Sequence, residues 1–452
     1  MLAINKPVSI TERLKRPFQQ FFELEASGGI LLLLCTVLAL IWANSPLGES
    51  YMTLWQIPLT VGFGEFILQK PLVLWINDGL MAIFFFLVGL EIKREVLHGE
   101  LKSPRQSAFP IAAAIGGMVV PASIYAALNW GTEGITGWGI PMATDIAFAL
   151  GVLALLGKRV PLALKVFLAA LAIVDDLGAV LVIAIFYTAD ISWMALGISA
   201  GFLAVLALAN FIGVRHILVY VVLGIGLWFA FLLSGVHATI GGVLLAMTIP
   251  ASSKINAEEF MNRTRRLIKD FENAGNGRKG EINMTEQHQV CVQALETNCN
   301  QVDSPLHRME HTLHPYVSFF VMPVFALANA GVVFEGGFVE SLTHPVSLGV
   351  ILGLFFGKQI GVTLFSYIAV KAGWASLPKG VTWTHVYGVS MLSGIGFTMS
   401  LFIAGLAFED HGLLTLSKVG ILTASLLSGV IGYLVLRYQA AKDDARKALS
   451  AS

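Results

Sequence analysis

Long apolar stretches, separated by short polar segments, run almost the whole length of the chain. Roughly 20 mostly apolar residues are enough to cross a bilayer core as a helix. Such stretches recur at 27–44, 72–90, 107–129, 138–156, 163–187, 192–211, 216–234, 236–250, 315–333, 345–370, 382–408 and 414–436. The pattern predicts an all-α membrane protein: a single domain over residues 1–452 with twelve transmembrane helices. The first stretch lacks a short apolar region ending in a small-residue cleavage site, and Trp42, Asn44 and Pro46 close it. It therefore reads as an anchored span rather than a removable signal.

Two polar connections have patterns of their own. Tyr51 to Lys70 alternates apolar and polar residues around Gly62 and Gly64, which predicts a short external hairpin over 51–70. The loop 251–314 is much longer. In it Phe260, Leu267, Ile268 and Phe271 share one helical face, Asn273 to Gly280 reads as a break, and a weaker helix is expected from Thr285 to Asn298. Ser304-Pro305 has the form of a helix start.

Composition agrees with lipid as the main solvent: 56% of the 452 residues are hydrophobic and 13% charged, with a mean hydropathy of +0.75. The net charge is zero, but the placement of the 29 Lys and Arg is informative. With the N-terminus assigned to the cytoplasm, all but three fall on cytoplasmic segments. Lys70 and Lys418 are external, and Lys358 lies inside a span. This positive-inside bias supports an even number of spans, both termini in the cytoplasm, and the loop 251–314 on that side. Cys35 sits in the first span, and Cys291 and Cys299 in the long loop, so no disulfide framework is expected. His288 beside Cys291 lacks the further ligands a metal would need.

Two spans resemble each other. Gly139 to Leu150 aligns without gaps to Gly388 to Met399, keeping Gly, Met, Ile and Phe and pairing Thr144 with Ser393. By the charge count the fourth span runs inward and the eleventh outward, so the repeat is inverted. Gly139 and Pro141 in one, and Gly388, Gly394 and Gly396 in the other, predict interrupted helices at matching depth. Paired interruptions of this kind point to an ion site.

Charges inside spans require an explanation, because each is unfavourable in hydrocarbon by roughly 2.5–3.5 kcal/mol on insertion scales. They are Asp145, Asp175, Asp176 and Lys358, with Asp78 shallower beside Asn77, where a helix-start or interfacial role is expected. Consecutive helical residues point about 100° apart, so Asp175 and Asp176 cannot share one partner. One can face a cation while the other meets Lys358. Desolvation disfavours ionised carboxylates, and three of them exceed one lysine, so a part-protonated site is expected near neutral pH. A hard monovalent cation and protons would then compete for the same oxygens. Asp145 and Lys358 could alternatively offset the partial charges at the ends of interrupted helices. An intramembrane aspartyl hydrolase would need two carboxylates sharing one water across two helices, which neighbours on one helix do not readily supply. The carbonyl filters or charge rings of a passive channel are absent.

The stretches WINDGLMAIFFFLVGLEIKRE (75–95), ATDIAFALGVLALLGKRVPLALKVFLAALAIVDDLGA (143–179), SGVHATIGGV (234–243), HTLHPYVSFFVMPVFALANAG (311–331) and SGIGFTMSLFI (393–403) resemble the NhaA family of bacterial sodium/proton antiporters. The resemblance extends from the first span to the last. It implies electrogenic, pH-regulated exchange of cytoplasmic Na+ or Li+ for external H+ across the bacterial inner membrane, serving sodium and pH homeostasis. By the same resemblance Asp176 and Asp175 bind the transported Na+ and exchange protons, Lys358 partners Asp175, and Asp145 and Thr144 lie in the unwound part of span four. Glu91, Arg94, Glu95 and Glu310 would form a pH-responsive cluster, and His237 would also respond to pH. The residues alone favour a solvated helix end for Glu91, Lys93, Arg94 and Glu95 and a helix-end hydrogen bond for His237. A homodimer through the external hairpin is implied; no cofactor, nucleic-acid partner or enzymatic activity is expected. The long loop departs from the short connection of the best-known members, reads as a tolerated insertion, and carries Glu310 at its end.

Overall fold

A computed structural model describes residues 10–63, 66–99, 101–188, 191–274, 285–333 and 338–451. Gly64 and most of the expected break at 273–280 lie outside them. The protein is a multi-span helical membrane protein. Seven helices are long and apolar enough to cross a bilayer: Leu72–His98, Ser107–Leu128, Leu162–Phe186, Trp193–Ile212, Pro305–Asn329, Pro345–Lys371 and His411–Ala445. Three bent pairs raise the number to ten: Ser27–Ala43 with Gly48–Gln56, Glu133–Met142 with Ile146–Leu155, and Trp383–Leu392 with Phe397–Ala407. The other two expected spans are the apolar helices Ile217–Leu232 and Ala238–Thr248. At about 1.5 Å per residue neither reaches across a core of about 30 Å by itself. Helices thus occupy all twelve expected positions, while length and composition account for seven to ten crossings.

The expected hairpin is shifted. Gly48–Gln56 is helical, turned by 112° from the preceding helix. Its Tyr51 hydroxyl donates to the Leu327 carbonyl at 2.8 Å and accepts from the Gly331 amide at 3.1 Å, which overrides the alternating pattern there. The antiparallel strands are Pro58–Phe63 and Phe66–Pro71, with Leu59 opposite Lys70.

Small residues let the helices around the centre approach closely, as membrane helix packing favours. Pro104–Leu128 and Lys358–Lys371 cross where a Cβ on Gly361 would strike the Gly116 carbonyl oxygen, and one on Gly116 the Gly361 carbonyl oxygen. Just before Lys358 the helix passes through a π turn at Gly353–Gly357. There a Cβ on Gly353 would lie 2.8 Å from Pro141 Cβ, and one on Gly357 2.8 Å from Pro121 Cα. Similar π turns occur at Ile76–Leu80 and Val317–Val321.

The fourth and eleventh spans are broken, by 44° and 47°. In the eleventh span the break contains Gly394 and Gly396 as expected, but Gly139 and Pro141 lie within the 3-10 helix Glu133–Met142, and Gly388 lies within Trp383–Leu392. The interruptions are at 143–145 and 393–396, where the two spans meet and satisfy each other's freed backbone groups. The Asp145 amide donates to the Ile395 carbonyl at 2.6 Å. The Ser400 hydroxyl donates to the Ile140 carbonyl at 2.7 Å.

The long loop forms two paired helices, Ala257–Ala274 and Glu286–Val302. Phe260, Leu267 and Phe271 are half-buried, whereas Ile268 is 48% exposed, one step off the shared face. Buried Asn298 donates to the Phe260 carbonyl and to the Thr264 hydroxyl, which fixes the register. The base of the loop is closed: the Leu306 amide donates to the Pro250 carbonyl at 3.1 Å, and the Lys254 amide to the Gln301 carbonyl at 2.9 Å. Ser304 caps the next helix as expected, accepting from the His307 amide, with Pro305 in the first turn.

Candidate functional site

Asp175 and Asp176 lie mid-way along Leu162–Phe186 and are almost wholly buried. Their helical offset separates their surroundings. The Lys358 ammonium donates to Asp175 Oδ2 at 2.5 Å and to the Thr144 hydroxyl at 3.0 Å. That hydroxyl lies 2.6 Å from Asp175 Oδ2 and 2.9 Å from the Ser393 carbonyl oxygen. It has one proton, so it donates to one of these two acceptors at a time while accepting from Lys358. A Cβ at Gly117 would lie 2.9 Å from Val362 Cγ2, so the glycine lets Pro104–Leu128 pack closely against the turn that follows Lys358. The ion pair therefore joins three spans: the fifth through Asp175, the tenth through Lys358, and the break of the fourth through Thr144.

Asp176 is differently placed. Its Oδ1 is buried without a hydrogen-bond partner among the described residues, and so is Asp175 Oδ1. The charged groups acting on Asp176 are Asp175, Asp145, Glu91 and Lys358, of which three are acidic. A buried, unpartnered carboxylate oxygen in an excess of negative charge can be neutralised by a proton or by a cation, and desolvation makes one of the two necessary.

Asp145 is used elsewhere. Its Oδ1 caps Ile146–Leu155 by accepting from the Phe148 amide at 3.0 Å. Its Oδ2 accepts from the Thr398 amide at 2.9 Å and the Thr398 hydroxyl at 2.5 Å, in the first turn of Phe397–Ala407. One carboxylate thus serves the N-termini of both half-helices, where an anion is favoured. Thr398 was not singled out by its sequence. A hydroxyl in an apolar run is unremarkable there; the usable signal is its place just after the Gly-x-Gly break.

The structure also gathers the second group of predicted residues. Arg94, on Met81–His98, pairs with Glu310 on Pro305–Tyr316 and with Glu95 at 2.9 Å, and Glu91 acts on the same guanidinium. Glu91 is only 8% exposed, which corrects the solvated helix end allowed by the sequence. It acts both on Arg94 and on Asp176, so this cluster and the carboxylate pair are in electrostatic contact. His237 caps Ala238–Thr248, its Nδ1 2.7 Å from the Thr239 hydroxyl, and its Nε2 lies 3.6 Å from Asp78. Asp78 in turn accepts from Lys70 at 2.8 Å, tying the strand hairpin to the second span. Asp78 falls within a π turn of its helix rather than at a helix start.

Comparison with known proteins gives a consistent result. The family model described as Na+/H+ antiporter 1 matches residues 19–436. A protein of Oleidesulfovibrio alaskensis named Na(+)/H(+) antiporter NhaA is 55% identical over 426 residues, covering 94% of each chain. Its namesake in Koribacter versatilis is 52% identical, covering 94% of this chain and 92% of that one. Another in Rhodospirillum rubrum is 50% identical, covering 92% and 96%.

Proposed function

The chain belongs to the Na+/H+ antiporter 1 family, and we propose that it exchanges cytoplasmic Na+ or Li+ for external protons, electrogenically, at the buried Asp175–Asp176 site. The observation that carries this reading is the pair of buried oxygens, one on each carboxylate, without a hydrogen-bond partner among the described residues, beside an Asp175 Oδ2 already held by Lys358 and Thr144. Asp176 is the main cation ligand, because Lys358 and Thr144 engage Asp175 and leave Asp176 aside. Asp175 offers its own free Oδ1 while its Oδ2 stays on Lys358. A protonated carboxylic acid is a poor ligand for a hard cation, so proton and sodium exclude each other from the same oxygens. Two proton-bearing groups, Asp176 and the Lys358–Asp175 pair, allow more than one proton per cation, and such exchange responds to the membrane potential.

Asp145 supports the site without holding the ion, since both its oxygens bind half-helix N-termini. Lys358 acts through direct pairing rather than as a remote counter-charge. The twelve helices cross the inner membrane with both termini in the cytoplasm, and the Glu91, Arg94, Glu95 and Glu310 cluster reports cytoplasmic pH to Asp176 through Glu91. His237, with Asp78, responds on the external side. The strand hairpin, projecting beside the second span, joins two copies into a homodimer.

Everted vesicles containing the protein test the reading. Added Na+ or Li+ should dissipate an acid-inside gradient, and Asp176→Asn should abolish the response. Full exchange by that variant would contradict the assignment.

A further inference from the structure

His385 sits in the first turn of Trp383–Leu392, the half-helix whose far end supplies the Ser393 carbonyl to Thr144. It is 2% exposed. Its Nδ1 accepts from the Thr382 amide at 3.2 Å and lies 3.0 Å from the Thr382 hydroxyl, closing a capping box. Its Nε2 lies 3.2 Å from Asp443 Oδ2, on the cytoplasmic extension of the last helix, and Gln439 holds the other Asp443 oxygen at 2.9 Å. The helices packed on this half-helix also carry Lys165, Lys371, Arg437, Lys442 and Asp444, and at its far end Asp175, Asp176 and Lys358. Asp443 is the charged group whose field acts on His385.

These contacts define the proton positions. The Thr382 amide can only donate, so Nδ1 must be bare, and Nε2 carries the hydrogen given to Asp443. The neutral ring satisfies every partner. A second proton would point Nδ1–H at the Thr382 amide hydrogen and end that bond of the cap, leaving only the Thr382 hydroxyl to accept, while strengthening the attraction to Asp443. Protonation thus loosens the start of the half-helix and draws it toward the last helix.

We propose that His385 is a positioning residue: by titrating between Thr382 and Asp443 it sets the seating of the Trp383–Leu392 half-helix, and so the Ser393–Thr144 contact beside the carboxylate pair. Its effect on transport rests on the antiport reading above. It adds a cytoplasmic pH response, separate from the Arg94 cluster, that restrains exchange on the acid side.

His385→Gln isolates the titration. Glutamine supplies an acceptor for Thr382 and a donor for Asp443, as it does at this position of an ordinary capping box, but cannot gain a proton. The acid limb of the exchange profile should extend by about half a pH unit or more, with alkaline rates within about twofold of the parent. Asp443→Asn should move the limb in the same direction. Hydrogen exchange over 382–392 gives a readout independent of transport: at about pH 5.5 the parent should exchange faster than His385→Gln, and at about pH 8 equally. A profile identical to the parent in either variant, or identical hydrogen exchange at both pH values, overturns the proposal. Parent vesicles without sodium-dependent proton flux would sink the antiport reading instead, leaving the hydrogen-exchange comparison to judge His385.

Discussion

Adjacent in sequence, Asp175 and Asp176 become unequal because a helical step turns the Oδ2 of one toward Lys358 and Thr144, while the Oδ1 of the other is buried without a hydrogen-bond partner among the described residues. Removing one partner of a buried ion pair is unfavourable by about 3–5 kcal/mol. Lys358→Ala should therefore lower the thermal stability of the purified protein clearly and alter the pH profile of exchange more than the Na+/Li+ selectivity. An unchanged pH profile would count against the coupling to Asp175. Thr398→Val should lose about 1.5–3 kcal/mol with the hydroxyl bond to Asp145, and Thr398→Ser should restore it; thermal melts of the two variants check this. These carboxylates and Lys358 were legible in sequence because charge in an apolar span stands out, and Thr144 through its pairing with Ser393 in the repeat and its place beside Asp145. Thr398 and the burial of Glu91 were not, since each depends on a contact between distant spans.

At the scale of elements, the apolar stretches located the helices well, and the Gly139–Leu150 and Gly388–Met399 likeness located the two broken spans. The sites of breakage were less legible. They lie where the spans touch, through Asp145 to Ile395 and Thr144 to Ser393; Gly394 and Gly396 mark the eleventh-span break, whereas the fourth-span break at 143–145 carries neither glycine nor proline. The π turn before Lys358 likewise lies where Gly357 and Gly353 let the chain pass close to Pro121 and Pro141. Close packing makes one glycine especially informative. Gly361→Ala would place a methyl group against the Gly116 carbonyl, and overpacking of this kind usually costs about 1–3 kcal/mol. A lower melting temperature and a reduced yield of folded protein are expected, measured by fluorescence-detected gel filtration after heating. The loop hairpin is the opposite case. Its base is closed by Pro250 to Leu306 and Lys254 to Gln301, so replacing 257–299 with a short Gly-Ser turn should keep exchange within a few-fold of the parent in the vesicle assay.

Across the whole molecule, the crossing of the two breaks is flanked by two ionisable groups: Glu91, Arg94, Glu95 and Glu310 on one side, and Lys70, Asp78 and His237 on the other. Glu91 links the first to Asp176, so Glu91→Gln should displace the pH dependence of exchange while leaving the rate at saturating sodium and optimal pH nearly unchanged; vesicle assays over a pH series measure it. On the proposed mechanism, sodium and protons compete for the oxygens of Asp176 and Asp175. Proton release on sodium binding tests it most directly, by calorimetric titration of the purified protein in buffers of different ionisation enthalpy. Sodium binding should release protons, weaken as pH falls, and vanish in Asp176→Asn. Sodium binding of unchanged strength across pH, with no proton released, would contradict it.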